Sequence, residues 1–292
     1  MSNLNEFITD LPCSWLEDAV SCRKENVGDL ILIKEDISRE YDEYEEIILS
    51  LRNPVLPSGL VDSKDLLISY YESPPAELNR SFLKRRNDHG LLKCPFCGNP
   101  KSPDTLDHFI PKDSWPEYSI FPNNLVPQCR SCAPIKGDKY YCLDNGKPLF
   151  MHPFYFELIG RTKFKIHVTF NQGDRFPSFA VKLLKPRDVT DDEMSRLNLH
   201  LFNLNVKNRI GKFCLDEYKR WKNKLKLRNF DLITALNIRL SEIPPENHAK
   251  EWKSAFILGL LACNDAIENL NSFKLQANPE YAPEDEEETD LL

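Results

Sequence analysis

Two identically spaced cysteine pairs, Cys94/Cys97 and Cys129/Cys132, stand 31 residues apart in this chain of 292. A Cys-x-x-Cys pair makes a tight knuckle with both sulfurs facing one point, and two knuckles can wrap one Zn²⁺ tetrahedrally. The segment 98–128 must then leave the first knuckle and return to the second as a loop or hairpin. Pro95 and Gly98 suit the first turn, and Arg130 sits inside the second. Four thiolates leave no open coordination position, so such a site is structural, and any chemistry belongs to the excursion it clamps. The alternative, four unrelated thiols, accounts poorly for equal spacing in turn-rich sequence. Cys13, Cys22, Cys142, Cys214 and Cys263 are scattered, and nine is an odd total. Small secreted disulfide frameworks use even sets, so a reduced, cytoplasmic protein with one thiolate site is expected.

Inside the excursion lie Asp107, His108 and Asn124. "TLDHFIP" and "NNLVPQ" read as two short strands, and "CAPIKGDKYY" starts a helix despite Pro134, because proline is tolerated in a first turn. On a strand, Asp107 and His108 point to opposite sides, although local twist or the strand end can bring both to one phosphate. An imidazole can take a proton from water near neutral pH, and a carboxylate can hold Mg²⁺. Taken alone, His108 reads equally as a satisfied core histidine, and Asn123-Asn124 as turn chemistry. Lys136 and Lys139 fit either phosphate contact or a helix terminus. His152 reads as structural, packed by Pro153 and Phe154.

Together, "CPFC", "LDHFIPK" and "NNLVPQCRSCAPIKGD" resemble the zinc-containing HNH endonucleases, also called His-Me finger or ββα-metal nucleases. The resemblance covers about residues 94–140. The "FMHPFYF" that follows is similar, more weakly, to a segment of some bacterial anti-phage members. The resemblance implies that His108 is the general base, Asp107 a Mg²⁺ or Mn²⁺ ligand, and Asn124 the residue that holds the loop. It also implies that Cys94, Cys97, Cys129 and Cys132 bind zinc. One position departs from it. The family carries Asn or His, a second metal ligand, directly after the last cysteine, and this chain has Ala133. Three accounts are open: another ligand such as Asp138 or His152, a finger that only binds, or an Asn replaced by Ala in an inactivated variant.

Elsewhere the chain reads as mostly helical. Residues 1–50 carry 13 acidic against 4 basic side chains. "SREYDEYEEIILSLRN" (38–53) has helical apolar spacing with Ser38 as cap, and "SKDLLISYYES" and "PAELNRSFLKRRND" read as two more helices. "KFKIHVTFN" alternates as a half-buried strand, pairing with "SFAVKLLK". Thr190 caps the next helix, and 205–228, 229–242 and 247–270 continue as helices. The formal net charge of -7 excludes a generic basic nucleic-acid binder. Between 200 and 230, however, nine basic residues meet two acidic ones. Lys219, Arg220, Lys222 and Lys224 there fit a solvated helix face or a phosphate-tracking strip. No run of 18 apolar residues predicts a membrane span, and the N-terminus lacks the pattern of a signal peptide.

The expected architecture is α+β: an acidic helical region (1–90), a zinc-clamped ββα finger (91–152), a strand pair followed by helices (153–278), and a disordered acidic tail (279–292). The expected activity is metal-dependent DNA phosphodiester hydrolysis. By the resemblance it serves an anti-phage complex, with a protein partner such as an ATPase. The competing expectation is a non-catalytic, zinc-stabilised adaptor for nucleic acid or protein, with Ala133 as its main support.

Overall fold

The computed structural model describes residues 1–50, 54–144, 146–171 and 173–275. The chain is about 51% helical with short antiparallel sheets, an α+β fold. The expected tail lies outside the described residues, as does the end of the predicted helix at 51–53. Five helices come first: α1 (Ser14–Val20), α2 (Val27–Leu32), α3 (Lys34–Ser50), α4 (Lys64–Glu72) and α5 (Ala76–Asn87). Two strands follow, β1 (Thr105–His108) and β2 (Leu125–Gln128), then the one-turn helix α6 (Ala133–Lys136). A minimal ribbon, β3 (Tyr141–Cys142) with β4 (Lys147–Pro148), leads to the hairpin β5 (Lys163–Thr169) and β6 (Ser178–Leu184). The last elements are α7 (Asp191–Asn203), α8 (Val206–Leu227), α9 (Leu232–Ser241), α10 (Trp252–Leu261) and α11 (Asn264–Asn271).

Ser38 does not cap α3; the helix starts at Lys34, placing Glu35 and Asp36 against its positive end. Ile37, Tyr41, Tyr44 and Ile48 form its buried stripe at helical spacing. The stripe lies on the clamped excursion: Tyr41 stacks on Phe121 at 4.0 Å, and Tyr44 meets Tyr118 and Phe121 edge-on. Thr190 caps α7 as expected, accepting from Glu193 N while the Glu193 carboxylate accepts from Thr190 N. The helix predicted over 247–270 is two, because Cys263 takes an extended conformation between α10 and α11.

β5 and β6 pair in register from Lys163↔Leu184 to Thr169↔Ser178. Phe164, Ile166 and Val181 face inward, with Lys163, Lys165 and Lys182 outward. α10 lies on β5, so close that a Cβ on Gly259 would come within 2.5 Å of Ile166 O. α8 packs on β6 and α7 on α8. One continuous apolar core joins the N-terminal helices, the clamped segment and the C-terminal helices. Among the described residues, no helix is long and apolar enough to cross a membrane.

Candidate metal centre and Asp-His site

The two knuckles converge. Gly98 N donates to Cys94 O at 2.8 Å, and Asn99 N donates to Cys97 Sγ. Gly98 sits at φ +76°, which an L side chain rarely adopts, and a Cβ there would come 2.6 Å from Met1 N. In the second knuckle, Cys132 N donates to Cys129 O at 2.8 Å. All four sulfurs are buried and lie within 4.8 Å of one another. Cys97 and Cys129 Sγ are 3.8 Å apart. That is far beyond a disulfide bond but equal to the tetrahedron edge of about 3.8 Å that follows from a Zn–S bond of about 2.3 Å. The donor set therefore fits a structural zinc ion.

A cation stands beside the thiols. Arg209 of α8 donates Nη1 to Cys132 Sγ at 3.2 Å and Nη2 to Cys97 Sγ at 3.3 Å and Cys129 Sγ at 3.6 Å. Burial opposes its charge, yet Cys97 and Cys132 hold its pKa above the usual range. Zn²⁺ with four thiolates carries two net negative charges, and this guanidinium offsets one. The sequence placed Arg209 only within a basic stretch. No local pattern connects a helix residue to a knuckle 77 positions before it.

Between the knuckles, β1 and β2 form an antiparallel ribbon, with His108 opposite Leu125 and Asp107 opposite Val126. Asn124 is fully buried and holds the ribbon's end. Its Oδ1 accepts from Ile110 N and Tyr44 O–H, both at 2.7 Å, and its Nδ2 donates to Ile110 O and Tyr118 O. Asn124 thus ties Ile110 and Tyr118 to the start of β2. Tyr44, which anchors it from α3, had no signal in the sequence around the motif.

Asp107 and His108 point apart, as alternation along a strand requires. His108 Nε2 lies 2.9 Å from Ser119 O, and a carbonyl only accepts, so this nitrogen carries the proton. Nδ1 makes no hydrogen bond among the described residues, and the ring is only half-buried. Tyr71 of α4 meets the ring edge-on at 4.4 Å. Burial lowers the imidazole pKa to about 4, so the ring is neutral at physiological pH with one nitrogen uncommitted, and is a weaker base than free imidazole.

Asp107 faces α6. Lys136 Nζ lies 3.0 Å from its Oδ2, an ion pair off the axis of a hydrogen bond. Burial raises the Asp107 pKa to about 6, against the opposing charge of Lys136. Lys136 is completely buried, and the same amine donates to His108 O at 3.0 Å and Phe109 O at 3.2 Å. The expected phosphate contact at Lys136 is therefore corrected: its donors are committed inside the fold. Lys139 is exposed.

For a catalytic Mg²⁺ or Mn²⁺ the fit is incomplete. Asp107 already has a buried ammonium as partner, and Ala133, at the start of α6, offers only a methyl group. Mg²⁺ takes near-octahedral oxygen ligation. Asp138 is exposed, and its charge raises the Asp107 pKa further. His152 is fully buried among Phe109, Phe154, Tyr155 and Tyr44, and burial drives its pKa far down, so it is a packed neutral ring. Among the described residues, the four cysteines are the one group of three or more His, Cys, Asp or Glu side chains placed to hold a metal.

The basic strip on α8 divides between two faces. Arg220 pairs with Glu217, and Lys224 lies over Trp221, beside Arg239 and Lys253, which pair with Glu242. Lys219 and Lys222 turn instead toward Phe176 in the β5–β6 connection.

No family model matches the chain, and no solved structure matches it. Over 118 residues the chain is 31% identical to Protein ea31 of Escherichia phage lambda, a match spanning 40% of this chain and 39% of that protein. The chain therefore covers well under half the length of that relative.

Proposed function

We propose that this chain is an HNH-type DNA endonuclease whose divalent-metal shell is incomplete at Ala133. The observation that carries the reading is the β1–β2 ribbon clamped by four converging thiols, with a neutral His108 at the end of β1. One ring nitrogen is fixed by Ser119 O and the other is uncommitted. In this reading Nδ1 takes a proton from water, the resulting hydroxide attacks the phosphorus, the P–O bond to the leaving oxygen breaks, and that oxygen takes a proton from solvent water. Tyr71 and the Ser119 carbonyl hold the ring's orientation. Asp107 is the metal ligand that the resemblance implies. The second ligand is what this chain lacks at Ala133. A reduced cytoplasmic setting suits the thiols. The acidic N-terminal region suits a basic protein partner, and an ATPase in an anti-phage complex comes from the resemblance alone.

A second reading is favoured by the Lys136–Asp107 pair: a retired finger that serves as a zinc-stabilised adaptor, with an ammonium standing beside the carboxylate where a divalent ion would bind. Plasmid nicking with Mg²⁺ or Mn²⁺ separates the two. Ala133→Asn is expected to nick, and Ala133→Asn/His108→Ala is not. A folded, zinc-loaded Ala133→Asn protein that cuts nothing, with its partner present, would leave the adaptor.

A further inference from the structure

The formal charge of -7 conceals how charge is distributed. Seven acidic residues between 280 and 290, with no basic ones, account for all of it, so residues 1–279 carry no formal net charge. On that neutral body, four cations gather at one place. Lys219, Lys222 and Lys226 lie within one stripe of α8 at helical spacing. Lys219 and Lys222 sit over the Phe176 ring at 5.2 and 5.7 Å, and Arg175 lies over the same ring at 5.4 Å from the hairpin side. Lys222 and Lys226 sit over Phe273 at 3.8 and 5.7 Å. None of the four has a carboxylate within ion-pair distance among the described residues.

The other face of the same helix behaves differently. There Glu217 answers Arg220, and Glu242 answers Arg239 and Lys253. On that face Arg220 is paired and Lys224 lies over Trp221, whereas among the described residues Lys219, Lys222 and Lys226, joined by Arg175 from the hairpin side, meet no carboxylate. Burial first, and then the charges of Lys226 and Arg175, lower the Lys222 pKa. Assembling them costs free energy, which an external polyanion would recover. The rings of Phe176 and Phe273 are covered by the lysines rather than presented to a base, so this surface offers charge without a stacking platform.

We infer that Arg175, Lys219, Lys222 and Lys226 form a binding site for the phosphate backbone of duplex nucleic acid, independent of sequence. The lysines span about 10 Å of helix axis, and a duplex carries about six phosphate charges over that length. The same helix delivers Arg209 to the thiol cluster. The patch therefore lies about 15–25 Å along α8 from the clamp, at an offset fixed by the helix. A duplex held there is tethered beside the finger. This inference rests on the nucleic-acid side of the proposed function but not on cleavage.

The test uses the full chain carrying His108→Ala, a fluorescein-labelled 30-base-pair duplex, and anisotropy at a series of NaCl concentrations without Mg²⁺ or Mn²⁺. The triple variant Lys219→Gln/Lys222→Gln/Lys226→Gln is expected to bind at least about tenfold more weakly at low salt. Its log–log salt slope should fall by up to about 2.7, near 0.9 for each phosphate that is no longer neutralised. Arg175→Gln alone should lower the slope by about 1. The opposite-face control, Arg220→Gln/Lys224→Gln, should keep the parent slope, and melting curves for all variants establish that they fold. An unchanged slope in the triple variant, an equal loss in the control, or preference for an Asp/Glu-rich peptide over the duplex would each overturn the assignment. Patch-dependent binding without nicking by Ala133→Asn would retain the assignment and remove the nuclease.

Discussion

Removing an ammonium from water costs several kcal/mol, and Lys136 is completely enclosed. Its stability comes from the Asp107 carboxylate and two carbonyls at the end of β1. Lys136→Met should leave the Asp107 carboxylate buried without its cation and cost about 3–5 kcal/mol in urea unfolding. The pH dependence gives that variant a signature. The Asp107 pKa is already raised to about 6 by burial, and loss of Lys136 raises it further. A group with a raised folded pKa contributes stability at low pH and loses it as pH rises through the folded value. The variant's deficit should therefore be larger at pH 8 than at pH 5; an equal deficit at both would refute the pairing. His200 has the opposite sign. It accepts from Met151 N and donates to Phe96 O, and burial lowers its pKa to about 4. Its contribution is complete above the unfolded value near 6.5 and disappears as pH falls toward 4, a span of roughly 3 kcal/mol. Melting temperatures of wild type and His200→Gln should converge between pH 7 and pH 4.5.

At the level of elements, two close approaches fix how helices sit on strands. Gly259 lets α10 touch the backbone of β5 at Ile166. A methyl group there meets a carbonyl, not a flexible side chain, so the helix must move outward. Gly259→Ala should lower the melting temperature by several degrees, as expected for about 1–3 kcal/mol of overpacking. Gly211→Ala on α8, where the nearest atom is 3.9 Å away, is the neutral comparison. Should both behave alike, α10 does not pack as described. The ribbon is held differently. Its strands have four residues each, too few to be stable alone, so the Asn124 bonds and the aromatic face of α3 supply what strand pairing cannot.

Over the whole molecule, the thiol cluster is the point where distant segments meet. It joins 94–97, 129–132 and, through Arg209, α8, all within one continuous core. Zinc binding to such a set is coupled to folding. Metal analysis should give one zinc per chain. Removing the ion with a strong chelator should lower the melting temperature by at least about 10 °C and perturb α8 as well as the finger. Arg209→Ala should release zinc faster without altering its stoichiometry. A protein that melts unchanged after zinc removal would detach the clamp from the fold.

Spacing alone determined the thiol clamp, because two equal knuckles leave their sulfurs little choice of geometry. Alternation alone determined the β5–β6 pair, and the Thr190/Glu193 pair alone the start of α7. Local signals of this kind reach a few residues. The partner of each site residue lies beyond that reach: Arg209 on the sulfurs, Tyr44 on Asn124, Ser119 and Tyr71 on His108. Lys136 shows the limit most sharply. Its sequence permits phosphate contact or a helix terminus, and only the packing of α6 against β1 turns its amine inward to Asp107. The gathering of Lys219, Lys222 and Arg175 over Phe176, and of Lys222 and Lys226 over Phe273, is likewise tertiary, since the hairpin connection and the segment after α11 supply those rings. A sequence fixes charge and period along one chain; long-range packing decides which charges face one another.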